Sequence, residues 1–170
     1  VGQPVFHVQP PDPQLFAPPQ FVVFGADSSR TGWYGFPAHP DTGVVKIANH
    51  GRGWPVDPVH GAREVPETAL AALRDFLADT FPDLAEAPVV YTRCCLYCDT
   101  LDEHFWITRH PEVVGLTVAA GDSGHAFKFA PVLGGLIADA VEGNPSRAGD
   151  RFAWRQFVAG TAGQEASRAR

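Results

Sequence analysis

Three thiols within five positions, Cys94, Cys95 and Cys98, with His104 six residues further on, form the densest group of reactive side chains in the sequence. Three readings of this group stand side by side. Sulfur and imidazole donors of this kind could hold a tetrahedral metal, although adjacent residues on a strand point to opposite faces and a second ligand pair is absent. The thiols could instead pack as small apolar side chains. Or one of them could be a reactive thiolate, which would need a cation or a helix N-terminus nearby. Two lysines carry the remaining chemistry. Lys46 stands among apolar neighbours in VVKIAN, where an ammonium snorkels, pairs with an acid, or sits desolvated over a cofactor. Lys128, in GDSGHAFK, is either a solvated first-turn residue or, with His125, part of an anion site at a helix N-terminus. His50, His104 and His125 are structural by default, and Tyr34 and Tyr97 are core or rim aromatics.

The elements that must position these residues follow from pattern. Residues 1–20 contain six prolines, which deny donors to any ladder and predict a surface arm or the end of a strand begun upstream. Residues 21–24 and 32–36 read as a hairpin around GADSS. Residues 44–49 read as a strand with Val45 and Ile47 on one face and Val44, Lys46 and Ala48 on the other. A loop over 51–63 leads to an amphipathic helix over 66–81, with Pro66 at its first position, Glu67 at its positive end and Pro82 as its stop. Strands follow over 88–97 and 103–108, and the short polar connection between them predicts antiparallel pairing. Residues 113–119 are apolar on both faces, like a strand covered on both sides. After the GDSGH turn, apolar residues at spacings of three and four from Phe129 to Val141 predict a helix that Gly143 ends in the left-handed conformation. Residues 144–170 read as a tail. Strands with an inserted helix make an α+β pattern.

Composition narrows the classes. With 170 residues, 45% apolar and 11% aromatic, the chain can build a packed core. A net charge of −6 and no basic cluster argue against nucleic acid as a partner. No apolar run approaches the roughly 20 residues that a bilayer needs, and no signal-peptide pattern opens the chain, so a cytoplasmic protein without membrane association is expected. Three cysteines, two of them adjacent, do not suit a disulfide framework. No GxGxxG occurs, so the usual dinucleotide-phosphate cradle is not in this sequence. The absence of Met and the opening on Val1 lead us to expect a fragment or processed subunit.

Four ordered blocks carry a resemblance. CLYCDTLDEHFWITRHP from Cys95, VAAGDSGHAFKFAPVLGGLIADAVEG from Val118, YGFP from Tyr34 and VVKIANHG from Val44 together resemble the C-terminal region of monomeric sarcosine oxidase and N-methyltryptophan oxidase, within the D-amino acid oxidase-like flavoenzymes. The resemblance covers about residues 4–145. It implies an antiparallel substrate-domain sheet with packed helices over 1–110, a return segment over 111–145 adding one strand and a helix to a Rossmann-like FAD domain whose main part lies elsewhere, and a tail over 146–170. It also implies roles by position. Cys95 would carry a covalent thioether to FAD, while Cys94 and Cys98 do not match that residue. Lys46 would activate dioxygen and Lys128 would bind the substrate carboxylate. Tyr34, Tyr97 and His50 would line the substrate pocket. The turn of Gly121, Ser123, Gly124, His125, Ala126 and Phe127 would lie beside the flavin ring. No metal is implied. The sequence departs from the family pattern at Ala126, where a glycine is usual, at Asp122, where an aromatic is usual, and by one extra residue between Pro37 and Lys46.

The implied activity is oxidation of a secondary amino acid such as sarcosine, with hydride passing to flavin and oxygen reduced to hydrogen peroxide. Its partners would be a small amino-acid substrate, O2 and the N-terminal FAD-binding half, in cis or as another chain. A second expectation, of a different class, is a non-catalytic domain or subunit that keeps the fold and acts as an interaction module.

Overall fold

The computed structural model describes residues 1–102 and 104–156. These fall into two compact units, Val1–Leu96 and a second that begins at Tyr97.

The first unit is an antiparallel sheet of five strands: β1 (Gly2–Val8), β2 (Phe24–Gly25), β3 (Trp33–Phe36), β4 (Val45–Asn49) and β5 (Val89–Leu96), in the order β2-β3-β4-β1-β5. One face is apolar because residues alternate: Phe6 and Val8 of β1 lie opposite Ile47 and Val45 of β4, and all four are fully buried. Against that face packs α1 (Glu67–Thr80), through Leu73 and Leu77, each with no exposed surface. Burial of such a leucine stabilises by about 2 kcal/mol. Phe76 of the same helix stacks on Trp33 of β3 at 4.9 Å and 12°. Pro66 caps α1 from an extended conformation, one position earlier than its expected place inside the helix. The following short helix α2 (Pro82–Ala85) is tied back by Arg74, which donates to the carbonyls of Ala85 and Ala87 at 2.8 Å each.

The opening segment departs most from expectation. Of the two expectations, residues 2–8 take the strand rather than the surface arm, but as β1 inside the sheet, paired with β4 on one side and β5 on the other. A proline is admissible there for a local reason. Gly2 exchanges backbone hydrogen bonds with Trp54, so Pro4, two residues on, turns its nitrogen to that same side. The ladder with β4 begins only at Val5, so no partner awaits the missing N–H of Pro4.

The second unit holds a hairpin of β6 (Trp106–Arg109) and β7 (Thr117–Ala120) and the helix α3 (Ala130–Glu142). The sequence pattern predicts pairing of β6 with the strand before it, but β6 pairs with β7. The apolar run over 113–119 is likewise only half strand: Val113, Val114 and Leu116 are exposed in the hairpin loop, Val114 completely. Glu103, placed at the start of β6 by pattern, lies outside the described residues. Gly143 ends α3 with φ 81°, as expected, and Arg109 donates to the last carbonyls, Ala140 at 3.0 Å and Val141 at 2.5 Å. No residue of α3 is buried. The segment read as a tail is docked as far as Arg155, which pairs with Asp102 through Nε at 2.5 Å and Nη2 at 2.7 Å and lies over the Trp106 ring at 4.7 Å. Residues 157–170 lie outside the described residues. No helix among the described residues is long and apolar enough to cross a membrane.

Candidate functional site

The face of the sheet opposite α1 collects the candidate residues of the first unit. Cross-strand register lines up Phe36, Lys46, His7 and Tyr91 in one row across β3, β4, β1 and β5. Two residues along, the next row is Tyr34, Ala48, Val5 and Arg93, and the row after that pairs Gln3 with Cys95. Tyr34, Lys46 and Cys95 therefore share one face, with Lys46 and Cys95 roughly 16 Å apart at their Cα atoms by strand spacing. His50 follows one residue beyond β4, held by its N–H on the carbonyl of Gly32 at 2.7 Å.

Lys46 is half-buried, and its ammonium lies over the Phe36 ring, 4.9 Å from the centroid. The carboxylate partner that a mid-strand lysine commonly takes is replaced here by an aromatic face. An apolar hollow of about 580 Å³ opens beside it, lined by His7, Phe36, His39 and Val44 among others.

The same alternation separates the thiols. Cys94 is buried toward Gly2 and Trp54, and a side chain at Gly2 would press on its sulfur. Burial pushes the Cys94 thiol above its ordinary pKa, which makes it a packing residue. Cys95, half-buried on the opposite face, lines a hollow of about 450 Å³ along β5 that Cys94, Arg63 and Arg93 also line. Cys98 is exposed. Among the described residues no group of three or more His, Cys, Asp or Glu side chains is placed to hold a metal ion.

In the second unit the turn 121–125 is built by left-handed residues: Gly121 at φ 80°, Ser123 at 45° and Gly124 at 76°. Ser123 is a fully buried non-glycine in that region, a conformation which persists only where surroundings impose it. They do so here. The N–H of Ser123 donates to Cys98 at 3.1 Å and the N–H of Cys98 donates to the Asp122 carboxylate at 3.0 Å. A Cβ at Gly124 would overlap the Tyr97 ring, so Tyr97 and the turn meet only because that residue is glycine. His125 stacks on Phe105 at 5.7 Å. Ala126, Phe127 and Lys128 do not open α3 directly but form a 3₁₀ turn over Ala126–Phe129 ahead of it. Lys128 is exposed and lies over the Phe129 ring at 5.4 Å, and Phe127 is 93% exposed.

Residues 2–140 match the family model described as DAO, FAD dependent oxidoreductase. The chain belongs to this family. It is 32% identical over 173 residues to L-saccharopine oxidase of Schizosaccharomyces pombe, covering 91% of this chain and 39% of that protein. Against monomeric sarcosine oxidase of a Bacillus species (strain NS-129) it is 40% identical over 121 residues, 69% of this chain and 30% of that one. Its fold is similar to the crystal structure of fructosyl amine: oxygen oxidoreductase (Amadoriase I) from Aspergillus fumigatus, with TM-score 0.74 and 31% identity over 91% of this chain and 37% of that one. The chain thus spans about two-fifths or less of the length of the relatives it matches.

Membership in a FAD-dependent oxidoreductase family calls for a test of the donor set. Cys95 offers a half-buried thiol outside the helix-covered core, in a hollow that Arg63 and Arg93 also line, and so a sulfur able to bond to an electron-poor flavin ring, while the close approach at Gly124 is taken by the chain's own Tyr97. The residues present fit a flavin. Two features of the first unit escaped sequence reasoning. His7 lies in a segment whose pattern reads as an arm or a strand end, and Arg63 and Arg93 carry no motif. The alternation of QPVFHV was the one available signal for His7.

Proposed function

We propose that this chain is the C-terminal part of a flavin-dependent oxidase of secondary amino acids, sarcosine-like or N-substituted, that releases hydrogen peroxide. The observation that carries the reading is the shared face of Tyr34, Lys46 and Cys95, turned away from the helix-covered core. Sarcosine and saccharopine, the substrates in the names of two relatives, share a secondary amine on a carbon bearing a carboxylate.

When bound, FAD supplies the hydride acceptor and hands the electrons to O2. The chain's own residues bind and polarise. Cys95 would hold the ring through a thioether, since its sulfur is on the open face where that of Cys94 is not. Lys46 would keep a fixed cation beside the reacting oxygen, where negative charge develops. Tyr34, Tyr97 and His50 would shape the substrate pocket, Lys128 would clamp the carboxylate, and the turn from Gly121 to Phe127 would pack beside the ring. The FAD-binding βαβ unit would come from an N-terminal half, and a cytoplasmic location is kept as part of the proposal.

The test is to purify the protein with its natural upstream sequence and examine its colour and flavin. A yellow protein whose flavin resists acid extraction and bleaches anaerobically with an N-methyl amino acid supports the reading. A colourless protein that takes up no FAD sinks it and favours the non-catalytic interaction module.

A further inference from the structure

The proposed oxygen role of Lys46 leaves open what governs the charge around it. His7 stands directly opposite Lys46 in the β1–β4 register, on the same face, and both line the same apolar hollow. Such neighbours place their Cβ atoms about 5 Å apart. The two side chains lean apart, Lys46 over Phe36 and His7 edge-on against Tyr91 at 5.3 Å, as two potential cations should.

We propose that His7 is a positioning residue that sets the charge beside Lys46: with its imidazole neutral the hollow holds one permanent cation, and a proton on His7 adds a second next to the oxygen site. The oxygen part of this inference rests on the function proposed above; the pairing does not. The neighbourhood favours the neutral form. On β4 the facing charge is Lys46, in the β3–β4 loop it is His39, and on β5 the facing groups are the Tyr91 phenol and, one row on, Arg93. No described residue lining the hollow is a carboxylate; Asp41 lies nearby but 4.0 Å from Nδ1 of His39. Burial first, then Lys46 and His39, hold the His7 imidazole below its ordinary pKa of 6.5.

Two readouts test this in the intact protein. The first is the NMR titration of the His7 ring, assigned by its loss in His7→Gln. Its midpoint should fall below 6.5 in the wild type and move up in Lys46→Met, which removes the neighbouring cation. An unchanged midpoint overturns the pairing. The second is flavin reoxidation by O2 against pH. As pH falls through the His7 midpoint the rate should rise by about threefold to tenfold, because a second cation favours charge on oxygen. His7→Gln, a neutral and similarly sized replacement, should flatten that limb while keeping the high-pH rate, and His7→Lys should hold the fast rate throughout. A His7→Gln protein with the acid limb intact overturns the proposal. If the NMR coupling is present but Lys46→Met reoxidises at the wild-type rate, the oxygen role of Lys46 fails and the electrostatic pairing survives.

Discussion

Cys94 and Cys95 show how one covalent bond along a strand decides chemistry. The two thiols are neighbours in the chain, yet pleating sends one sulfur into the packing around Gly2 and Trp54 and the other to the face that carries Lys46. Replacing Cys95 with Ala is expected to make the flavin acid-extractable while Cys94→Ala leaves it covalent, as read by absorbance after precipitation. Cys94→Ala should instead cost about 1 kcal/mol of stability in denaturant, from the lost buried sulfur. Lys46→Met removes a cation but keeps the stem over Phe36. Reoxidation by O2 should slow by about 10²–10³-fold, the loss expected for one preorganised electrostatic contact, with reduction by substrate changed far less in stopped-flow traces. Equal slowing of both half-reactions would count against the role.

At the scale of elements, α1 and the strap at Arg155 do different work. Leu77 has no exposed surface between α1 and the sheet, so Leu77→Ala should destabilise the first unit by about 2–5 kcal/mol in thermal or denaturant unfolding. Arg155 donates to the Asp102 carboxylate through Nε and Nη2, with Nη2 also donating to the carbonyl of His104 and Nη1 to that of Phe105, fastening the loop ahead of β6. The guanidinium holds the Asp102 carboxyl at a pKa of about 2, below its ordinary 3.8. A carboxylate depressed in the folded state contributes stability that is fully present above pH 3.8 and lost as pH falls toward 2. Asp102→Asn should therefore shallow the acid limb of the stability profile between about pH 4 and 2, measured by denaturation at a series of pH values.

At the scale of the whole molecule, α3 is the anomaly. It is among the most apolar stretches of the chain, yet none of its residues is buried, and Val132 and Val141 are more than half exposed. A helix that is apolar around much of its circumference normally belongs inside a larger fold. If the proposed N-terminal FAD-binding half covers it, the 170-residue chain alone should bind the dye ANS strongly. Restoring the upstream sequence should then quench that binding and raise amide protection along α3 in hydrogen exchange. Unchanged protection would show that the helix is covered by something else or by nothing.

How much of this was legible in the chain varies with the range of the interaction that decides it. α1, the span and end of α3, the strands around Lys46 and Cys95, and the membership signalled by TLDEHF and SGHAFKFAP were readable because local periodicity, a terminating Gly143 and motif chemistry act over a few residues. Partners were not. Residues 1–20 read as an arm or a strand end because their prolines remove donors, whereas in β1 only the side that the Pro4 nitrogen faces matters, and that depends on a ladder some forty residues away in sequence. β6 sits next to β5 in sequence but pairs with β7, and the Arg155 strap joins residues 53 apart. Residue types alone determined that the chain holds three clustered thiols, two candidate cations and a glycine turn, and the flavin reading of them came from the resemblance of whole motifs. Only the sheet register decided that Tyr34, Lys46 and Cys95 share a face, and that His7 stands beside Lys46, because alternation fixes a face only once strands have chosen their neighbours.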